Sequence, residues 1–272
     1  MNKLTFLLSI LKYSIINPEI GKQLLQSKLE LWRDSKQKDS IDKYKSKQLK
    51  IEEIVRRLFP DLNYSLIDFQ QSVKELQNHT SDFFNRLKNE SYPSKNKPYP
   101  LDYNLNDISG LFLYILCKII KPEKVVETGV GYGLSSMYIL QAMNENKKGV
   151  LYSIDYVFRP WESKHMIGSS IPQHLRSNWN FVFGPSSQKL KKLLTSIGSI
   201  DVFFHDSLHT FKNMMFEFET VWPSIVDNGF LISDDISCNN AFYEFYSKLN
   251  LESFILLQER SYNPFLGIIK KP

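Results

Sequence analysis

Glycines in this chain recur at a spacing that suits the close approach of a charged small molecule. Gly129, Gly131 and Gly133 follow the apolar residues 125–126, and an apolar helical pattern opens at Ser135. Glycine allows sharp turns and close contact between backbone and ligand. The helix that follows then directs its N-terminus toward whatever the glycines surround. The pattern predicts a strand, a ligand-binding turn and a helix, although the glycines alone also suit an ordinary strand-to-helix turn.

Carboxylates follow one predicted strand after another. Glu127 lies where the first strand meets the glycine turn, and Asp155 ends the second strand. Asp206 follows the fourth strand, while Asp234 and Asp235 follow the fifth. In an open α/β sheet, ligands bind outside the carboxyl ends of the strands. The sequence therefore predicts that these five acids meet on one rim of the sheet.

Helices and strands alternate along the chain from residue 104 onward, which fixes the expected fold class. The predicted strands are 125–128, 149–155, 181–183, 200–205, 229–233, 254–258 and 267–270. The predicted helices are 107–120, 135–144, 187–196, 210–222 and 241–249. Strands separated by helices imply right-handed crossovers and a parallel sheet that is covered on both faces. We expect a Rossmann-like, doubly wound, mostly parallel seven-stranded sheet with helices on both faces.

The first third of the chain has a different composition. Residues 1–90 show helical patterns and no strand signals, and the segment 91–100 contains three prolines. Prolines at this density are typical of a linker. We therefore predict a helical N-terminal extension over residues 1–100 and one α/β domain over residues 101–272.

Charge is distributed unevenly along the chain. The formal net charge is +5, and residues 1–57 carry 13 Lys and Arg against 7 Asp and Glu. The remaining residues are nearly neutral, which argues against an extended nucleic-acid groove on the α/β domain. The two cysteines, Cys117 and Cys238, form no disulfide framework, and a reducing cytoplasm is the expected compartment.

The N-terminal segment 1–16 places its leucines on one helical face. The segment is too short to span a bilayer, so we expect no transmembrane segment here. Three interpretations stay open for this helix. It packs on the body of the protein, it forms a homo-oligomer with a second subunit, or it attaches to a membrane surface.

The glycine spacing also indicates which nucleoside cofactor is bound. Asp155 lies some twenty residues beyond the glycines, where a carboxylate can accept both hydroxyl protons of a ribose. The glycines follow Gly-x-Gly-x-Gly instead of the Gly-x-Gly-x-x-Gly of dinucleotide sites. An acid as close as Glu127 would repel a pyrophosphate and attract a cation. S-adenosylmethionine, with its sulfonium and ammonium groups, therefore fits this site better than NAD.

The segments Glu127-Thr-Gly-Val-Gly-Tyr-Gly133 and Ser153-Ile-Asp155 resemble two motifs of the class I S-adenosylmethionine-dependent methyltransferases. The resemblance covers residue 104 to the C-terminus. It implies that Glu127 and the glycines hold the methionine part of the cofactor and that Asp155 holds the ribose. The expected cofactor-binding residues are Glu127, Thr128, Gly129, Gly131, Gly133, Ser135, Asp155, Tyr156, Ser186 and Asp206.

A narrower resemblance comes from the segments 200–220 and 231–236, which look like the metal-dependent sugar O-methyltransferases of macrolide biosynthesis and the cephalosporin-hydroxylase-like proteins. It implies a Mg²⁺ ion on Asp206, Asp234 and Asp235, with His209 as the catalytic base beside Asp206. Carboxylate oxygens are the ligands that this hard cation prefers. The segment 184–187 departs from the family, because it lacks a carboxylate near the adenine edge.

The expected activity is Mg²⁺-dependent O-methylation of a hydroxyl on a small molecule, such as a sugar or natural product. A non-catalytic nucleoside-binding or scaffold protein with the same fold is one alternative. A nucleic-acid methyltransferase is another, although the Asn/Asp-Pro-Pro-aromatic tetrad is absent after the fourth strand. The segment 158–173 is predicted to be a lid or an acceptor wall on the same rim.

Overall fold

The computed structural model describes residues 3–36, 40–62, 65–101, 106–258 and 264–272. Helices and strands alternate through most of the chain. In order they are α1 (Lys3–Ile16), α2 (Pro18–Asp34), α3 (Ser40–Lys45), β1 (Gln48–Leu49), α4 (Ile51–Leu58), α5 (Leu66–Ser72), α6 (Lys74–Lys88), α7 (Asp107–Ile120), β2 (Lys124–Thr128), α8 (Leu134–Asn146), β3 (Val150–Asp155), β4 (Trp179–Phe183), α9 (Ser186–Ile197), β5 (Ile200–His205), α10 (Phe211–Val221), β6 (Ile225–Ser233), α11 (Ala241–Lys248), β7 (Ser253–Leu257) and β8 (Phe265–Lys270). Short 3₁₀ helices cover Lys164–Met166, Gln173–Asn178, Trp222–Ser224 and Ile236–Cys238.

The strands form one mixed sheet in the order β1-β7-β8-β6-β5-β2-β3-β4. Neighbouring strands are parallel except for β8, which runs antiparallel to both β6 and β7. Because β2, β3, β5 and β6 are parallel and adjacent in the sheet, their carboxyl ends meet at one edge. The predicted fold class, a mostly parallel α/β sheet of the Rossmann-like type, is confirmed.

The sheet holds one strand more than the seven predicted. The extra strand is β1, where Gln48 pairs with Ile255 and Leu49 with Leu256 at the sheet edge. The expectation that residues 1–90 contain no strand was therefore wrong. A strand of two residues is too short to leave the alternating pattern on which strand prediction depends.

Two apolar layers cover the faces of the sheet. Side chains alternate between faces along a strand, and accordingly Phe204 lies in one layer while Phe203 lies in the other. The first layer joins the sheet to α7 and α8, and the second joins it to α9, α10 and α11. Met214 and Phe218 on α10 are fully buried in the second layer.

Residues on both sides of position 100 share the first layer. Ile54 and Val55 of α4, with Leu76 and Phe83 of α6, lie in the same cluster as the buried face of α7. Tyr44 of α3 is fully buried in the second layer. The division of the chain at residue 100 stays a prediction about folding units.

Among the described helices, none is long and apolar enough to cross a membrane.

Candidate cofactor and acceptor site

Neighbouring strand ends bring several of the predicted site residues together. Thr128 at the end of β2 pairs with His205 at the end of β5. The backbone N–H of Asp206 donates to the carbonyl of Thr128 at 2.8 Å, and the N–H of Asp234 donates to the carbonyl of His205 at 2.9 Å. The sheet therefore places Asp206 and Asp234 at the ends of adjacent strands, as the sequence predicts.

The turn after β2 is fastened to Asp155 at the end of β3. One carboxylate oxygen of Asp155 accepts hydrogen bonds from the backbone N–H groups of Val130 and Gly131, both at 3.0 Å. The other oxygen accepts from the N–H of Tyr156 at 2.7 Å. Burial raises the pKa of Asp155, and these backbone hydrogen bonds partly offset that effect. Asp155 therefore supports the glycine turn while its half-buried side chain remains at the sheet edge.

The glycines of the turn have different surroundings. At Gly129, with a φ of +82°, a Cβ atom would lie 2.0 Å from the carbonyl oxygen of Asp206. At Gly131, with a φ of +53°, a Cβ would meet no atom within 4 Å. Gly133 packs against the side chain of Ile171. Gly129 therefore allows the turn to touch the end of β5, and open space lies beside Gly131.

Glu127 lies inside the protein and not on the rim. Its carboxylate accepts hydrogen bonds from the hydroxyls of Ser135, of Ser136 at 2.6 Å and of Ser153 at 2.7 Å. Burial raises the pKa of Glu127, and the serine hydroxyls counteract part of that shift. Because Glu127 has no exposed surface in this arrangement, any influence on a ligand passes through the serines and the turn.

A buried, hydrogen-bonded pair of Glu217 and His205 lies behind the rim and was not predicted from the sequence. Glu217 on α10 accepts hydrogen bonds from Thr128 Oγ1 at 2.5 Å and from Ser207 Oγ at 2.8 Å, and its Oε2 lies 2.7 Å from Nδ1 of His205. Burial raises the pKa of Glu217. The charge and hydrogen bond of His205, together with hydrogen bonds from Ser186 and Thr128, outweigh burial, so the net shift of this pKa is downward. The available signal in the sequence was the carboxylate of Glu217 between apolar neighbours, Phe216 and Phe218.

The predicted base lies beside its predicted partner. Nε2 of His209 is 3.8 Å from Oδ1 of Asp206, and both side chains remain partly exposed. The ring of His209 contacts the ring of His205 edge to face, with centroids 5.0 Å apart. The carbonyl oxygen of His209 accepts a hydrogen bond from Asn239 at 3.3 Å. The imidazole of His209 is therefore mostly buried, with Nε2 shielded from solvent, and it lies beside Asp206, whose backbone contacts the glycine turn.

The three acids predicted to bind a metal follow the adjacent strands β5 and β6 but are not assembled as a cluster. Within the described ranges, no group of three or more His, Cys, Asp or Glu side chains is arranged to hold a metal ion. Asp234 is almost completely buried and accepts a hydrogen bond from Gln258 Nε2 at 2.5 Å. Asp235 takes a left-handed backbone conformation with a φ of 50°. Mg²⁺ is often held by only one or two carboxylates and several waters, so the adjacent Asp206 and Asp234 suit it chemically.

The segment 158–173 borders the glycine turn. The N–H of Gly168 donates to the carbonyl of Gly131 at 3.0 Å, and the N–H of Ser170 donates to the carbonyl of Tyr132 at 2.9 Å. On its other side, Nε2 of His79 in α6 lies 2.8 Å from the carbonyl oxygen of Ser170. The segment thus joins the turn to an N-terminal helix.

Helix α2 crosses above the same sheet edge, which the sequence did not indicate. The hydroxyl of Tyr156, after β3, lies 3.3 Å from Oε1 of Gln23, and the N–H of Phe211, after β5, donates to Oδ2 of Asp34 at 2.8 Å. These contacts are about 16 Å apart along the helix. Because β2 lies between β3 and β5, α2 passes over the region of the glycine turn.

Three predicted cofactor residues remain to be placed relative to the glycine turn. Thr128 and Ser135 are buried next to the turn, where they donate to Glu217 and Glu127 respectively. Ser186 begins α9, directly after β4 at the far end of the sheet.

Several solved structures with a similar fold are methyltransferases. Residues 126–236 match the family model described as a methyltransferase domain. The O-methyltransferase TomG from Streptomyces achromogenes, in complex with SAM, superposes with a TM-score of 0.55 at 13% identity, covering 71% of this chain and 90% of that chain. An O-methyltransferase from Bacillus cereus, in complex with SAH, gives a TM-score of 0.52 at 12% identity over 81% of this chain and 97% of that chain.

A third solved structure, the SAH-bound methyltransferase PaMTH1 from Podospora anserina, gives a TM-score of 0.52 at 14% identity, covering 81% of this chain and 94% of that chain. No curated protein is similar enough in sequence to match this chain. The fold and the family match define a class I methyltransferase fold. The predicted resemblance to the class I S-adenosylmethionine-dependent methyltransferases is confirmed, and residues 126–236 are the part of the chain that matches the family model.

Proposed function

We propose that this protein transfers a methyl group from S-adenosylmethionine to a hydroxyl of a small molecule. The observation that carries the proposal is the contact between Gly129 and the backbone of Asp206. Through this contact the turn suited to the cofactor touches the segment that bears His209. A donor beside the turn and an acceptor beside the imidazole would then be neighbours.

The glycine turn and Asp155 supply the cofactor side of the site. The open space beside Gly131 is available to the methionine part, and the outer surface of Asp155 is available to the ribose hydroxyls. Glu127 acts indirectly, because its serine partners set the position of the turn. This division of roles refines the resemblance, which assigns Glu127 a direct contact with the cofactor.

His209 supplies the acceptor side. A hydroxyl group attacks the methyl carbon while the carbon–sulfur bond of the sulfonium breaks, which yields a methyl ether and S-adenosylhomocysteine. The hydroxyl proton passes to the neutral imidazole of His209, and Asp206 stabilises the resulting imidazolium at 3.8 Å. Holding oxygen, methyl carbon and sulfur in line is the other part of catalysis.

Magnesium is the second part of the proposal. Asp206 and Asp234, with Asp235, would hold the ion at the ends of β5 and β6. When bound, a divalent cation lowers the pKa of a coordinated hydroxyl. One oxygen of Asp234, Oδ1, accepts the hydrogen bond from Gln258, so the ion would share this carboxylate with Gln258.

Cofactor titration separates this proposal from its alternatives. We expect S-adenosylhomocysteine, and not NADH, to bind in isothermal calorimetry, and binding to survive EDTA. Turnover of radiolabelled S-adenosylmethionine with a panel of catechols and sugars should be lost in His209→Ala and retained in His174→Ala, an exposed histidine of the 3₁₀ helix Gln173–Asn178. NADH binding, or equal turnover in the two variants, would contradict the proposal. Turnover that is unchanged by EDTA would remove the magnesium part alone.

A further inference from the structure

The outward face of α2 carries a stripe of large exposed apolar side chains. Leu25, Leu29 and Trp32 occupy positions i, i+4 and i+7, so they share one helical face. They are 64%, 46% and 57% exposed respectively. Leu11 and Ile15, near the end of the neighbouring helix α1, are also exposed. A stripe of exposed apolar side chains is typical of an interaction site.

Charges on α2 are separated between its two faces. Lys22, Lys28 and Arg33 are exposed and flank the apolar stripe. The acids Glu30 and Asp34 lie on the opposite, inward face, where they contact the start of α10. Lys36, just beyond the helix, places its ammonium 3.6 Å from the ring centroid of Trp32. The free face of α2 is therefore apolar along its middle and basic along its sides.

We propose that this outward face of α2, together with the end of α1, docks on an anionic lipid surface. A helix with an apolar stripe, a tryptophan and flanking lysines matches the chemistry of the boundary between headgroups and acyl chains. The apolar side chains enter that boundary, and the lysines and arginine pair with lipid phosphates. The helix lies in the plane of the surface, because it is too short to span a bilayer.

The basic side chains that border the apolar stripe favour a lipid surface over a second copy of this chain or a nucleic acid. In a two-fold dimer the same patch faces itself, so the lysines of one copy would meet those of the other. A nucleic acid would satisfy the basic side chains but would leave Leu25 and Leu29 exposed at a polar backbone. An anionic bilayer satisfies both the apolar stripe and its basic borders.

Docking in this orientation would bring the carboxyl edge of the sheet close to the lipid surface. The inward face of α2 lies over Tyr156 and Phe211, at the carboxyl ends of β3 and β5. The carboxyl edge of the sheet would therefore lie about one helix diameter, roughly 10 Å, from the lipid surface. Acceptors would reach the site from that surface.

Vesicle flotation tests the proposal with the full chain. We expect flotation with phosphatidylcholine vesicles that contain roughly one-third phosphatidylglycerol, and little with phosphatidylcholine alone. Lys22→Glu/Lys28→Glu should lower the partition coefficient about tenfold or more. Leu25→Ser/Leu29→Ser should lower it by a similar factor. The tryptophan emission should shift to the blue on binding, and this shift should be absent in Trp32→Phe although that variant still floats.

Matched variants elsewhere on the surface provide controls. Lys191→Glu/Lys192→Glu reverses two exposed charges on α9, and Leu249→Ser removes a leucine that is 40% exposed at the end of α11. Both should float like the parent chain, and thermal melting should show all variants to be folded. No flotation, or equal loss in the control variants, would overturn the proposal. So would an oligomer in sedimentation velocity that Leu25→Ser/Leu29→Ser dissociates, or nucleic-acid retention that Lys22→Glu/Lys28→Glu abolishes without any vesicle binding.

Discussion

Nδ1 of His205 lies 2.7 Å from Oε2 of Glu217, and both side chains are fully buried behind the carboxyl edge of the sheet. The same carboxylate oxygen accepts the hydroxyl proton of Thr128, so Glu217 links α10 to the ends of β2 and β5. The ring of His205 in turn contacts His209. The ring of the proposed base therefore packs against a histidine that a buried hydrogen bond to Glu217 holds in place.

Glu217→Gln should destabilise the fold. The glutamine amide removes the negative charge opposite His205. It also replaces one of the two carboxylate oxygens that accept hydrogen bonds at this position. We expect the free energy of unfolding to fall by about 3 kcal/mol, measured by urea denaturation. Glu219→Gln is the matched control on the same helix, because its ion pair with Lys248 is exposed and should contribute less than about 0.5 kcal/mol. Equal effects of the two substitutions would contradict the assigned role of Glu217.

The pKa shift of Glu217 predicts how this effect depends on pH. Its pKa is lower in the folded protein than in the unfolded chain, so its stabilising contribution is present above its ordinary value of about 4.3. That contribution is lost as the pH falls through the lower, folded value. We expect the stability difference between the parent chain and Glu217→Gln to be constant from about pH 6 to 8 and to shrink in acid. A stability difference between the two chains that grows in acid would contradict the downward shift assigned to the pKa of Glu217.

Glu127 should show the opposite pH trend. Burial raises its pKa in the folded protein, so its contribution is greatest below the unfolded pKa and declines as the pH rises toward the folded value. The stability of the parent chain relative to Glu127→Gln should therefore decrease with rising pH in urea denaturation. Glu127→Ala, which leaves Ser136 and Ser153 without their acceptor, should cost about 2–4 kcal/mol. A stability difference between the parent chain and Glu127→Gln that rises with pH would contradict this.

Gly129 and Gly131 form a matched pair for substitution by alanine. At Gly129 the new Cβ would overlap the carbonyl oxygen of Asp206, so Gly129→Ala should lower the melting temperature strongly. At Gly131 the new Cβ would meet only open space, and the positive φ costs about 1 kcal/mol. Gly131→Ala should therefore fold but bind S-adenosylhomocysteine more weakly, by roughly tenfold. Unchanged affinity in Gly131→Ala would show that the cofactor lies elsewhere.

Asp155→Ala should weaken both the fold and cofactor binding. It removes the acceptor for the N–H groups of Val130 and Gly131, at a cost of about 1–3 kcal/mol in stability. Asp201→Ala is the control, because Asp201 accepts from two backbone N–H groups at the opposite end of the sheet, at 2.9 and 2.8 Å. Both variants should lose similar stability in urea, but only Asp155→Ala should lose affinity for S-adenosylhomocysteine in calorimetry. Equal affinity in the two variants would remove Asp155 from the cofactor site.

Local sequence patterns were sufficient for most of the sheet. The predicted strand 200–205 coincides with β5, and the predicted strand ending at Asp155 coincides with β3 to within one residue. Strand β1 was not predicted because two residues carry no periodic pattern. It forms by pairing with the edge of β7. Such a strand is decided by its partner and not by its own residues.

The sequence by itself determined that glycines and acids would gather at one edge, because parallel strands separated by helices must end on the same side of the sheet. It did not determine which way each side chain faces. Glu127 and Asp155 both follow apolar strand residues, yet Glu127 turns inward to three serines and Asp155 turns toward the glycine turn. The passage of α2 over this edge was also decided only in the tertiary structure. It depends on contacts between residues as distant as Asp34 and Phe211, and pairings of that separation leave no periodic trace in either segment.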